Sequence, residues 1–173
     1  CLTLRVDVDI RPVFIYGRYK KLDRGIPQTR WPCRACRGRA EGCEACEGTG
    51  LQYPDSVQDL IGEPFRLVLS AEDTSFHGMG REDIDVRCLG RGRPFVLEVK
   101  RPKVRRTNLE EVMEAVNSNA SGKIEISDLR WTNRSEVSRI KETRAEKSYT
   151  IRFSVEEPPE ESFIVESISN LSG

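Results

Sequence analysis

Leu2, Leu4, Val6, Val8 and Ile10 alternate with Arg5, Asp7 and Asp9, and this period of two predicts a half-buried strand over residues 2–10. Pro12 breaks it, and Val13-Phe14-Ile15-Tyr16 forms a second short apolar run. Residues 17–25 read as a basic loop holding Arg18, Lys20, Lys21 and Arg24 close to Tyr16 and Tyr19. Residues 56–61 predict a short helix with Ser56 as N-cap and Gly62 as its stop, followed by a strand over 65–69. Ile84 and Val86 alternate with Asp85 and Arg87 as a further strand, and apolar runs at 86–89 and 95–99 flank Gly90-Arg91-Gly92 as a β-hairpin. Thr107 and Glu110 make a capping-box pattern ahead of Leu109, Val112, Met113 and Val116, a helix ending near 119–122. Ile124, Ile126 and Leu129 resume a strand, 135–146 is a charged helix with Val137 and Ile140 as its apolar stripe, and Tyr149, Ile151 and Phe153 alternate as a strand. After Pro158-Pro159, residues 163–168 open a last strand or helix. This order predicts an α+β fold, a mixed but mainly antiparallel sheet with flanking helices on one side.

Composition adds a domain size and a charge map. The 173 residues suffice for one globular domain with a core. The 28 basic and 28 acidic side chains cancel, yet they are unevenly placed. Arginine and lysine crowd the first quarter and residues 81–106, while Glu156, Glu157, Glu160, Glu161 and Glu166 gather late. Basic blocks on a neutral chain fit a face for an anion such as nucleic acid, and Arg18, Lys20 and Tyr19 fit RNA, where bases stack on rings and phosphates meet cations. A solvated charged surface and a hairpin whose tyrosines simply pack fit the same residues. No apolar run approaches the roughly 20 residues of a membrane span, and no secretory signal opens the chain. The cysteines come in short paired spacings, which points to metal in a reducing compartment and to a cytoplasmic protein. The abrupt start at Cys1 and the end after an apolar run predict a segment of a longer protein.

Two stretches carry chemistry. Cys33-Arg34-Ala35-Cys36 and Cys43-Glu44-Ala45-Cys46 belong to a duplicated Cys-x-x-Cys-x-Gly, ending at Gly38 and Gly48. Four thiolates on two such knuckles predict a closed, structural zinc site in a small insert over 29–53. A redox dithiol does not explain the duplication. The second stretch runs from Ser75 to Arg87, where glycines frame a loop that presents Arg81, Glu82, Asp83 and Asp85. Asp83 or Asp85 can serve as a nucleophile or base without metal. Alternatively Asp85, Glu98 and Lys100 can form a magnesium nuclease site across the expected hairpin, a short and common pattern that a plain cross-strand ion pair explains better. His77 is the one histidine and a second candidate base.

The run from His77 to Gly90, with Gly92-Arg93-Pro94-Phe95 after it, resembles the catalytic segment of the archaeal and eukaryotic tRNA pseudouridine synthases that modify positions 54 and 55 of the TΨC loop. Arg11-Pro12, Gly17-Arg18-Tyr19, Gln28-Thr29 before Trp31-Pro32, the cysteine knuckles and Lys147-Ser148-Tyr149 are similar as well. The resemblance implies a pseudouridine synthase catalytic fold, isomerisation of uridine in tRNA, structural zinc and no organic cofactor. It assigns Asp83 as nucleophile, Arg81 to the flipped target base and Tyr149 to stacking on the uracil. Arg18, Tyr19, Lys20, Arg87 and Arg93 then fall to RNA binding, and Arg81 and Arg87 favour the ionised Asp83. It further implies that a THUMP-type domain and the C-terminal end of the catalytic domain lie outside this stretch, and it names no obligatory protein partner. A zinc-containing RNA-binding module without catalysis is the alternative from another class.

Overall fold

A computed structural model describes residues 8–152, 154 and 156–170. The expected strand over 2–10 lies mostly outside them, and residues 8–10 have no regular structure. The elements in chain order are β1 (Val13–Lys21), a 3₁₀ turn (Glu44–Cys46), α1 (Val57–Val68), β2 (Asp73–Gly78), β3 (Cys88–Lys100), α2 (Leu109–Asn119), β4 (Ile124–Thr132), α3 (Arg134–Glu142) and α4 (Glu161–Ser169). The four strands form one sheet in the order β2-β3-β1-β4, and every pairing is antiparallel. The architecture is α+β. The chain divides into two units, Cys1–Thr143 and Arg144–Gly173, and the sheet belongs to the first.

The residues read as a basic loop are the second half of β1. Alternation continues through them, so Ile15, Tyr19 and Lys21 turn to one face while Phe14, Tyr16, Arg18 and Lys20 turn to the other. The first face carries the main core, where Ile15, Phe95, Leu97, Val99, Ile124 and Ile126 meet α1 and α2. On the opposite face α3 lays Ile140 against Phe14 and Val96. The helices therefore cover both faces, not one as the sequence suggested.

Helix α1 runs through both of its apparent breakers, Gly62 and Pro64. The expected stop at Gly62 and the strand over 65–69 are both corrected. The reason is a stripe at intervals of four, Val57, Ile61, Phe65 and Leu69, all fully buried. Tertiary burial of that stripe outweighs the local cost of a proline. Ser56 caps the start, its side chain accepting from the Asp59 N–H at 3.1 Å. Beyond the end, the Leu69 carbonyl accepts N–H groups of Lys103 at 3.1 Å and Val104 at 3.0 Å. Gly62 is a contact glycine, since a Cβ there would lie 2.5 Å from Thr74 Oγ1 on β2.

Three further expectations change. Gly90-Arg91-Gly92 does not turn a hairpin but forms an irregularity within β3, where Tyr19 opposes Arg93 and Lys21 opposes Cys88. Gly90 and Gly92 have φ of 62° and 72°, and a Cβ on Gly92 would sit 2.7 Å from the Tyr19 carbonyl oxygen. Residues 84–87 are loop rather than strand. The cap of α2 is Asn108, one residue past Thr107, and its side chain accepts from the Glu110 N–H at 3.0 Å.

In the second unit, 163–168 is helical within α4. The expected strand at Tyr149, Ile151 and Phe153 does not form: residues 149–152 are irregular, with Tyr149 and Ile151 exposed, and Phe153 lies outside the described residues. Alternation makes a strand only when a neighbour accepts its backbone hydrogen bonds, and among the described residues none does. No helix among them is long and apolar enough to cross a membrane.

Gly62→Ala tests the contact reading of α1. Helix propensity alone favours alanine by roughly 1 kcal/mol, but the new methyl meets Thr74. We expect Gly62→Ala to destabilise the chain in urea titrations and to become neutral or stabilising when Thr74→Ala is also present. An equal gain in both backgrounds would contradict the contact.

Candidate active-site loop and metal centre

Gly78 ends β2 against the side chain of Gln28, and a Cβ there would come within 2.9 Å of Gln28 Nε2. The chain then turns through Gly80, at φ 74°, into residues 81–87. Successive side chains in this loop point opposite ways. Glu82 goes inward and is buried, while Arg81 and Asp83 are exposed.

Glu82 sits in a polar nest. Tyr19 donates its hydroxyl to the carboxylate at 2.8 Å, and Gln28 Nε2 donates to the Tyr19 oxygen at 2.8 Å and to the Gly80 carbonyl at 3.1 Å. Arg93 Nε lies 2.8 Å from Glu82 Oε2, a charge contact whose N–H is not aligned as a hydrogen bond. Arg93 also donates from Nη1 to the Met79 carbonyl at 2.7 Å. Burial first, and the Glu82 charge second, push the Tyr19 phenol well above its ordinary value.

Below the loop, the Lys21 side chain is fully buried and its ammonium donates to three carbonyls. These are Ile26 at 3.0 Å, Asp83 at 2.9 Å and Ile84 at 3.0 Å. Three N–H bonds and three acceptors leave it fully satisfied. Burial lowers its pKa, with the Glu82 and Asp85 charges opposing. The Asp83 carbonyl also receives the Val86 N–H at 3.2 Å, and the Ile84 carbonyl that of Gly25 at 2.9 Å. The backbone at Asp83 is thus clamped while its carboxylate faces solvent, with no hydrogen bond or ion pair among the described residues.

Several residues assigned to RNA prove to have internal roles. Tyr19 is fully buried and offers no stacking surface. Arg93 is committed to Glu82 and Met79. Arg18 spends its guanidinium on the carbonyls of Arg91 and Gly92, both at 2.7 Å, bracing the irregular part of β3. Lys20 pairs with Glu125 at 3.3 Å on the neighbouring strand. Arg81 and Arg87 remain exposed, joined by Arg91, to which the sequence motifs gave no role. Arg81 lies over the Trp31 ring, 5.7 Å from its centroid, and makes no ion pair with Asp83. Tyr149 belongs to the second unit, exposed on an irregular segment. His77 Nε2 lies 3.1 Å from Glu98, and Lys100 reaches Asp73 at 2.9 Å, so both partners imagined for a nuclease site with Asp85 are engaged elsewhere. Cys88 is partly buried, and burial raises its thiol pKa.

The insert is pinned at its base by a bridge between Pro32 and Leu51, with the Cys33 N–H on the Gly50 carbonyl at 2.8 Å. Its two knuckles repeat in backbone as well as in sequence. Arg37-Gly38 follows Cys36 with φ of 52° and 82°, and Glu47-Gly48 follows Cys46 with φ of 50° and 77°. The sulfurs of Cys33, Cys36, Cys43 and Cys46 all lie within 4.8 Å of one another. Metal–sulfur bonds of about 2.3 Å in a tetrahedron place sulfurs about 3.8 Å apart, and Cys36 and Cys46 stand at 3.8 Å. Backbone N–H groups favour the thiolate: that of Ala40, foremost, brings Cys36 down to about 6. At Cys46 burial opposes ionisation, but the Gly50 N–H, 3.2 Å from Sγ, helps to outweigh it and lowers the pKa. The four residues fit a metal ion.

Comparison with known sequences defines the class. The chain belongs to the family described as Pus10, C-terminal, whose model matches residues 14–172. Its curated relatives carry the name tRNA pseudouridine synthase Pus10. The one from Methanothrix thermoacetophila is 51% identical over 170 residues, covering 97% of this chain and 37% of the relative. That from Methanothermobacter marburgensis is 50% identical, covering 88% and 38%, and that from Archaeoglobus fulgidus 44%, covering 99% and 47%. The chain therefore spans less than half the length of these relatives.

The Tyr19 phenol gives a pH signature. It stays protonated in the fold beyond the pH, about 10, at which the unfolded chain ionises. Stability is therefore full below pH 10 and falls as pH rises past it. Tyr19→Phe should cost about 1–3 kcal/mol at neutral pH by stranding Glu82 and Gln28, yet show a shallower alkaline decline than wild type in denaturant titrations at pH 9–11. Parallel declines would mean that the phenol is not held protonated.

Proposed function

We propose that this chain supplies catalytic machinery of a tRNA pseudouridine synthase, with Asp83 as nucleophile acting on a uridine of the TΨC loop, at position 54 or 55. The observation that carries the reading is the loop itself: an exposed carboxylate, unpartnered among the described residues, on backbone held by a buried lysine. A nucleophile needs an accessible lone pair and a fixed origin, and the loop provides both. The membership of the family and the name of its curated relatives support the substrate class.

The reaction exchanges the C1′–N1 bond of uridine for a C1′–C5 bond. Asp83 attacks the flipped nucleotide at C1′ or C6, the uracil detaches, turns and rejoins through C5, and the carboxylate leaves unchanged. C5 loses a proton and N1 gains one, so no co-substrate is consumed. Arg81, on its platform of Trp31, contacts the extruded base or the strand beside it, and extrusion is the cost any enzyme acting on a stacked base must meet. Arg87 and Arg91 meet phosphates. Cys33, Cys36, Cys43 and Cys46 hold zinc, whose part is to fold the insert that carries Trp31. The protein works in the cytoplasm on tRNA.

The test is isomerisation of a tRNA transcript by the full chain. We expect Asp83→Ala and Asp83→Asn to abolish product by at least a thousandfold (about 4 kcal/mol) while tRNA affinity persists, and Asp85→Asn to keep measurable turnover. Product from Asp83→Ala would end the assignment and leave the zinc-containing RNA-binding module as the better reading.

Metal content is checked separately. Protein purified under reducing conditions should hold about one zinc per chain, and Cys36→Ser should lose it. Zinc-free wild-type protein with an ordered insert would refute the metal assignment.

A further inference from the structure

A cavity of about 260 Å³ opens where β1 begins and β4 ends. The Asp83 loop stands at the other end of β1, against Lys21. The strand from Val13 to Lys21 separates the two, eight residue steps or about 26 Å at about 3.3 Å per residue.

The charged lining of the cavity is Arg105, Arg106 and Arg134, with no carboxylate among its walls. Arg105 donates from Nη1 to the Arg11 carbonyl at 2.8 Å, which leaves the rest of its fork open. Arg106 lies 4.7 Å over the ring of Trp131, itself a wall of the cavity. Arg134 makes no hydrogen bond or ion pair among the described residues. Elsewhere in this region arginines have a counter-ion: Arg130 and Arg139 share Glu136, each at 2.5 Å. Three like charges gathered without a counter-ion among the described residues repel one another, and an anion seated between them removes that cost. Guanidinium forks suit the oxygens of a phosphate, and the volume, below the roughly 300–1,000 Å³ of whole-ligand sites, suits a phosphodiester and its sugar.

We propose that this pocket is a distal anchor for a backbone phosphate of the RNA that the Asp83 loop acts on. The inference rests on the RNA part of the functional reading and is independent of which residue is the nucleophile. Phosphate contacts position a nucleic acid rather than read its sequence. An anchor one strand-length away sets the angle at which the target nucleotide arrives.

The experiment is equilibrium binding of a tRNA transcript to the full chain across a salt series. Arg105→Gln with Arg134→Gln should weaken binding roughly tenfold near 0.1 M salt and flatten the plot of log K against log salt by about 0.7–0.9, the contribution of one phosphate no longer neutralised. Arg134→Gln alone, on an exposed side chain without hydrogen-bond or ion-pair partners among the described residues, should flatten the plot in the same direction by a smaller amount and guards against misfolding of the double variant. Lys141→Gln removes the same charge from α3 outside the cavity and should change affinity less than twofold. Unchanged affinity and slope in the double variant, or an equal weakening in Lys141→Gln, would overturn the anchor. Absence of isomerisation would refute the catalytic reading and leave this binding result standing.

Discussion

A single ammonium group organises the end of the sheet that carries the Asp83 loop. Lys21 closes β1 inside the protein, where its charge has no water, and it is tolerable there because three carbonyls accept its three N–H bonds. Those carbonyls come from two segments, Ile26 before the insert and Asp83-Ile84 in the loop. One buried cation thus ties the strand, the approach to the insert and the loop together. The Tyr19–Gln28–Glu82–Arg93 network works one layer above it, fixing the loop through a side chain where Lys21 fixes it through the backbone. Both depend on β1 holding Tyr19 and Lys21 on the same face.

Much of the architecture was legible in the chain, and the failures share a cause. Long stripes such as Val112–Val116 and Ile124–Ile126 declared their elements because burial and periodicity agree. Reading went wrong where a local signal opposed a tertiary one. Gly62 and Pro64 resemble a stop, yet the four-residue stripe from Val57 to Leu69 continues past them. Gly90-Arg91-Gly92 resembles a turn, but it accommodates a bulge that lets Gly92 pass close to Tyr19. The basic run 17–25 resembles a loop because its cations crowd together, and only strict alternation shows that Lys21 belongs inside.

The candidate site was legible to the same degree. Its address, the loop around Asp83, follows from glycine spacing and a dense set of charges. Its supports did not, because a buried Glu82 is spelled like its exposed neighbours. Gln28 and Lys21 lie far from the loop along the chain, and nothing local in either announces a contact with it. The four cysteines are the opposite case. Their chemistry is so particular that spacing alone locates the centre, and the paired left-handed residues at 37–38 and 47–48 show the duplication continuing into the backbone.

The inward turn of Glu82 beside the outward turn of Asp83 has a consequence for how this loop can vary. Side chains at adjacent positions face opposite ways, so what matters is their parity relative to Gly80. Inserting or deleting one residue between Gly80 and Asp83 would exchange their places: Asp83 would enter the nest of Tyr19 and Arg93, and Glu82 would be left in water. Several substitutions at the exposed positions can be absorbed, whereas a change of length cannot. In such a loop, the number of residues is itself a functional determinant.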